Sequence, residues 1–142
     1  MSTYPFHLAF PVADLGSTRA FYHELLACPI GRESETWIDF DFFGNQITAH
    51  LEQSYAGGQV CNNEVDTKQV PVPHFGAIVP WDVFPRLARK LEDAEVPFIH
   101  APMIRFAGEI GEQATLFVRD PSGNAIEFKS FKDEAMVFRK GT

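Results

Sequence analysis

Two imidazoles and a carboxylate are enough to hold a divalent metal ion, and this 142-residue chain offers such donors in strand-like runs. His7, His50, His74 and Glu127 are the candidates. Side chains alternate across a strand with period two. In the first run Phe6, Leu8, Phe10 and Val12 share a face, and His7 points away with Ala9. Ile47, Ala49 and Leu51 leave His50 on the opposite side. Phe75, Ala77 and Val79 oppose His74, and Ile126 and Phe128 oppose Glu127. A single strand histidine is more often structural or simply exposed; His23 is expected to be exposed mid-helix beside Glu24, and His100 to lie at a loop edge. Shared parity makes the four a group. All sit on the face away from the apolar side.

The elements that must position them repeat. Pro5 to Val12 reads as a strand, Ser17 as a helix N-cap, and Phe21, Leu25 and Cys28 as a helical stripe ended by Pro29. Short strands follow over Ile30 to Glu33, Trp37 to Phe43 and Gln46 to Gln53. The second half repeats the order: a strand at Pro73 to Val79, then Asp82 capping a helix with Val83, Leu87 and Leu91 on one face. Strands come next near Phe98 to His100, Ala114 to Arg119 and Ala125 to Phe131. Module one is thus expected at residues 5–53, a polar linker at 54–72 and module two at 73–131, within one domain spanning 1–142. His7 and His74 stand in the first strand of each module, His50 and Glu127 in the last. The expected fold is α+β: two strand–helix–three-strand modules forming one curved mixed β-sheet cup with the helices outside.

Composition excludes several functions. Lys and Arg number 12 against 19 Asp and Glu, a net charge of −7, so neither nucleic acid nor an anionic membrane is expected as partner. No run of about 18 apolar residues could span a bilayer. Met1 to Phe6 lack a basic-then-apolar signal, which points to the cytoplasm. Cys28 and Cys61 are expected as two reduced thiols.

The repeated modules, a histidine in each first strand, and the closing run Asp120-Pro121-Ser122-Gly123-Asn124-Ala125-Ile126-Glu127-Phe128 resemble the vicinal oxygen chelate superfamily, over about residues 5–131. That superfamily includes glyoxalase I, extradiol dioxygenases, fosfomycin-resistance transferases and metal-free bleomycin-binding proteins. Tyr4-Pro5-Phe6-His7, Trp37-Ile38-Asp39-Phe40, Phe42-Phe43-Gly44 and Gly111-Glu112-Gln113 are similar to a small branch described as extradiol-type dioxygenases.

The resemblance implies that His7, His74 and Glu127 are the metal ligands, with Fe(II) the expected ion and Zn, Ni or Mn the alternatives. It implies ring cleavage of a small vicinal diol, with His50 as acid–base group or fourth metal ligand. Arg105, Glu112 and Tyr55 are the expected substrate contacts. The rival readings are a glyoxalase I-like metal-dependent isomerase or lyase and a metal-free small-molecule binding protein. In glyoxalase I a carboxylate stands where this chain has His50, a departure that argues against the first rival. The expected partners are a small-molecule substrate and a second copy in a homodimer, with or without exchange of half-domains.

Overall fold

The computed structural model describes residues 4–140. Met1–Thr3 of the opening segment and Gly141–Thr142 of the tail lie outside the described residues. The fold is α+β, with mixed sheets and two helices. Hydrogen bonding divides the strands into two four-stranded sheets and a separate two-stranded hairpin. The chain forms two compact units, described in turn. One gathers the residues up to Val60 with Asp120–Asn124; the other runs from Cys61 to Arg119 and resumes at Ala125.

In the first unit, β1 (His7–Val12) pairs parallel with β4 (Asn45–Leu51), which pairs antiparallel with β3 (Trp37–Phe42), and β3 with β2 (Ile30–Glu33). Helix α1 (Leu15–Arg19) is capped by Asp14, whose carboxylate accepts from the Ser17 amide at 2.7 Å. The cap is therefore three residues earlier than Ser17, because Asp14 has the extended backbone and the free acceptor that capping needs. The helix continues as a π-helical segment, Ala20–Leu25. There the Leu26 amide reaches back five residues to the Phe21 carbonyl. This wider turn brings Leu26, not Leu25, into the core. It also seats Tyr22, fully buried, among Phe10, Phe21, Phe40 and Phe42 at ring separations of 5.0–6.3 Å.

The turn Asp120–Asn124 completes this unit. The Tyr22 hydroxyl donates to Asp120 Oδ2 at 2.8 Å, and Asp120 Oδ1 accepts the Ser122 and Asn124 amides, both at 2.9 Å. Asn124 Nδ2 donates to the Pro11 carbonyl, and the Ala13 amide donates to Ser122 Oγ. Gly123 has φ +92, and a Cβ there would come within 3.2 Å of Gly57 Cα, so the position needs glycine. Burial and the neighbouring Asp120 push the Tyr22 phenol well above its ordinary range, so it remains a donor. The closing motif is thus a structural knot.

In the second unit, β7 (Phe75–Ile78) pairs parallel with β10 (Ala125–Phe131). β10 pairs antiparallel with β9 (Gln113–Arg119), and β9 with β8 (Phe98–Arg105). Helix α2 (Val83–Asp93) buries Phe84, Leu87, Ala88 and Leu91. Asp82 holds its N-cap position without a side-chain cap bond, and its carboxylate instead faces Arg86 at 3.7 Å. The stretch expected as linker carries a hairpin, β5 (Cys61–Val65) and β6 (Lys68–Val72). Cys28 is buried and Cys61 exposed, and both are free thiols.

Candidate metal centre

The second sheet prepares two donors. His74, one residue before β7, places Nδ1 2.7 Å from the Pro71 carbonyl oxygen. A carbonyl only accepts, so Nδ1 carries the proton and Nε2 of the neutral ring presents a lone pair. Nε2 faces Glu127 Oε1, 3.2 Å away. Thr115 donates its hydroxyl to Glu127 Oε2 at 2.6 Å, and Lys129 Nζ lies 3.9 Å from the same oxygen. The Phe117 ring packs edge-on against His74 at 5.0 Å. A ring whose tautomer is fixed by a backbone carbonyl, beside a carboxylate oriented by a hydroxyl, is the outer-shell arrangement that metal ligands require.

Without an ion the pair shares a proton. The hydrogen bond to Glu127 raises the His74 pKa above its ordinary 6.5, against the opposing effect of burial. For Glu127, burial pushes the carboxyl up. The hydrogen bonds from His74 and Thr115, with the Lys129 charge, outweigh it and hold the pKa below 4.5. Two Lewis-basic atoms held at 3.2 Å with only a proton between them fit a divalent cation as a replacement for that proton.

The other two expected donors belong to the first unit. His7 opens β1, exposed and with no hydrogen bond or ion pair among the described residues. His50 lies on the same face of β4, as parity predicted. Register, however, corrects its place in the repeat. Gly76 pairs with Glu127, two residues beyond His74, while Ala9 pairs with Thr48, two residues beyond His7. Thr48 therefore occupies the position equivalent to Glu127, and its hydroxyl donates to Asp39 at 2.6 Å. His50 pairs with Pro11, four residues along from His7, or about 13 Å at ~3.3 Å per residue. Two imidazoles that far apart, both standing off one sheet face, do not meet at one ion with ~2.0–2.1 Å bonds. Among the described residues no group of three His, Cys, Asp or Glu stands close enough to form a metal cluster.

The family comparison agrees with this architecture. The family model described as the glyoxalase/bleomycin resistance protein/dioxygenase superfamily matches residues 5–128. The chain belongs to this superfamily. It is similar, at 34% identity over 96% of this chain and 97% of the other, to the crystal structure of a glyoxalase/bleomycin resistance protein/dioxygenase from Alicyclobacillus acidocaldarius, with a TM-score of 0.75. The fold is shared with the fosfomycin resistance protein of Listeria monocytogenes (14% identity, TM-score 0.70, covering 96% of this chain and 100% of that one). It is shared also with a lactoylglutathione lyase of Agrobacterium tumefaciens (16% identity, TM-score 0.63, covering 92% and 96%). No curated protein matches the sequence.

A cavity lies beside the His74 and Glu127 side chains in the second unit. It measures about 210 Å³ and is lined by His74, Glu127, Thr115, Phe117, His100 and Arg105, among others. Of the expected substrate contacts, Arg105 lines it. Tyr55 does not: its hydroxyl donates to Asn124 Oδ1 at 2.6 Å and serves the Asp120–Asn124 turn. Glu112 caps its own loop, accepting from the Gly108 amide at 3.1 Å and pairing with Lys132 at 3.5 Å. His100, expected at a loop edge, lies within β8 and stands on the cavity wall. Its Nε2 donates to the Gln69 carbonyl at 2.6 Å and its ring packs edge-on against Phe117 at 5.4 Å. The signal that could have found it is the parity of β8, but the strand is irregular between Phe98 and Met103, which breaks simple alternation. No helix among the described residues is long and apolar enough to cross a membrane.

Proposed function

We propose that this chain is a cytoplasmic, divalent-metal-dependent enzyme of the vicinal oxygen chelate type that opens the ring of a small vicinal diol, an extradiol-type dioxygenase. His7, His74 and Glu127 would hold the ion, Fe(II) in the active form, with a homodimer as the assembled state. The observation that carries the reading is the His74–Glu127 pair: a fixed tautomer and an oriented carboxylate facing each other at 3.2 Å on the wall of a cavity. Iron bound there would supply the redox chemistry that joins dioxygen to an electron-rich diol. Both oxygen atoms enter the product. The ring bond beside the diol breaks into an aldehyde and an acid, and the ring itself supplies the electrons, so no further reductant is needed.

The chain's own residues bind the ring and move protons. Phe117 and Met103 offer an apolar wall to a planar ring. His100 donates from Nε2 to Gln69, which leaves the Nδ1 lone pair to take and return a diol proton. We assign it the acid–base role expected of His50. A glyoxalase reading fits less well, because a tripeptide thioester outruns a cavity of about 210 Å³.

The test is anaerobic iron loading followed by oxygen-electrode assays over a panel of catechols. His7→Ala, His74→Ala and Glu127→Ala should each lose bound metal. His100→Gln should retain iron and slow turnover by ~10²–10⁴-fold, while His50→Gln should not. Metal retention by His7→Ala would break the three-ligand assignment. Absence of oxygen uptake with every diol, together with tight Ni(II) or Zn(II) binding, would replace the dioxygenase by an isomerase or lyase.

A further inference from the structure

The hairpin β5–β6 is a wall of the cavity. Val65, Lys68 and Val70 face into it, and the hairpin is tied to β8 at two points. Asp66 in the turn forms an ion pair with Arg105, and the Gln69 carbonyl accepts from His100. The turn is tight, with Asp66 at φ +48 and Thr67 at φ +69, so Lys68 follows directly from a fixed backbone.

The charge of the lining is unlike that of the chain. The cavity presents Lys68, Arg105 and Lys129 against one carboxylate, Glu127, in a protein whose net charge is −7. Lys129 leans on Glu127 and Arg105 on Asp66, but Lys68 meets no carboxylate among the described residues. A cation left unpaired where acids outnumber bases points to a ligand that brings the missing anion. Size limits the rest of that ligand. A cavity of ~150 Å³ admits benzene, so about 210 Å³ beside Phe117 and Met103 admits one ring with a short substituent.

We infer that Lys68 and Arg105 form an anion subsite on the hairpin wall, and that the substrate is a single aromatic ring carrying a carboxylate as well as its diol. The inference names the substrate of the proposed dioxygenase and so rests on that reading, but the subsite can be tested without turnover. The probes are 3,4-dihydroxybenzoate, its uncharged methyl ester and catechol, titrated calorimetrically into the full chain, metal-free and loaded with redox-inert Zn(II). The acid should bind about 10- to 100-fold more tightly than the ester, the range of a hydrogen bond to a charged group. Lys68→Gln should abolish that preference without altering ester binding, Lys68→Arg should keep it, and Lys132→Gln, remote from the cavity, should change nothing. Equal binding of acid and ester by the wild type, a preference that survives Lys68→Gln, or no binding in either form overturns the subsite. Acid preference without oxygen uptake from any diol would keep the subsite and remove the dioxygenase. Oxygen uptake indifferent to the acid group would do the reverse.

Discussion

The two four-stranded sheets share a strand order and a parallel first-to-last pairing, yet their polar faces are prepared to different degrees. In the second, His74 is fixed through Nδ1, Glu127 is held by Thr115, and the two face each other beside a cavity. In the first, the equivalent of Glu127 is Thr48, occupied with Asp39, and His7 stands exposed and without partners among the described residues. The same strand order thus carries an exposed histidine, unpartnered among the described residues, in the first sheet and a hydrogen-bonded histidine–carboxylate pair in the second. Repetition reproduces backbone positions, while the chemistry at each is set by what the neighbouring strand offers.

The comparison is sharpest at Gly76 and Ala9, the residues paired with Glu127 and Thr48. Ala9 carries its Cβ without difficulty, whereas a Cβ on Gly76 would overlap the Glu127 carbonyl. Gly76→Ala should therefore be the most damaging small change in the molecule. It forces β7 off β10 at a cost of about 3 kcal/mol or more, the upper range for overpacking. Ala9→Gly should cost only about 0.5–1 kcal/mol. Urea unfolding of both variants decides it, and equal midpoints would mean that β7 and β10 have room between them for a methyl group.

The next effect concerns the two threonines. Thr115→Val removes the hydroxyl that orients Glu127 and should weaken metal binding about 10- to 100-fold, as loss of an outer-shell partner does. Thr48→Val removes a hydroxyl engaged only with Asp39. Metal affinity should then hold within about twofold, since a substitution away from the site shifts energies by no more than about 0.5 kcal/mol. Competition against a fluorescent chelator measures both. Comparable losses would mean that the Thr115 hydroxyl does not act on metal binding by orienting Glu127.

Much of this arrangement was legible in the sequence, and the limits have physical causes. Alternation placed His7, His50 and Glu127 on the polar faces because each strand has one apolar side, and parity depends on nothing else. It could not fix position along the strand: register depends on loop paths, and Thr48 rather than His50 proved to match Glu127. The hairpin escaped because all five residues of β5 are exposed, so Cys61–Val65 shows no alternation, and its turn is Asp66-Thr67 rather than a glycine pair. Asp120–Asn124 read correctly as a turn, but a turn motif says nothing of its destination, and its bonds to Tyr22 and Pro11 appear only in the fold.

Tyr22 gives a prediction of intermediate size. Tyr22→Phe keeps the aromatic cluster and removes one donor to Asp120, which still accepts from Asn124 Nδ2 at 2.9 Å. The expected destabilisation is about 1–2 kcal/mol, since a buried carboxylate loses one of several partners. Metal affinity should stay unchanged, because the hydrogen bonds that hold His74 and Glu127 come from Pro71 and Thr115. A loss of affinity comparable to that of Thr115→Val would show that the knot positions the site as well as the fold.

The smallest effect is the pH dependence of the metal-free protein, and its sign distinguishes a proton-sharing pair from an inert one. The His74 pKa is raised above 6.5, so its contribution to stability is complete below about pH 6.5 and fades as pH rises through the folded value. The Glu127 pKa is lowered below 4.5, so its contribution is complete above about pH 4.5 and fades as pH falls through the folded value. Both operate together between those limits. The thermal midpoint of the metal-free wild type relative to Glu127→Gln should therefore be highest between pH 4.5 and 6.5 and fall on either side. Saturating Zn(II) should change the shape of the curve. The ion requires neutral His74, so the extra stabilisation it gives should grow as pH rises through the folded His74 value, where the proton-sharing pair weakens. Differential scanning fluorimetry across this range and about one pH unit beyond each end, with and without zinc, for wild type and Glu127→Gln supplies all four curves. A difference between the metal-free proteins that does not vary with pH would mean that His74 and Glu127 share no proton. Zinc stabilisation that is flat with pH would mean that the ion binds elsewhere.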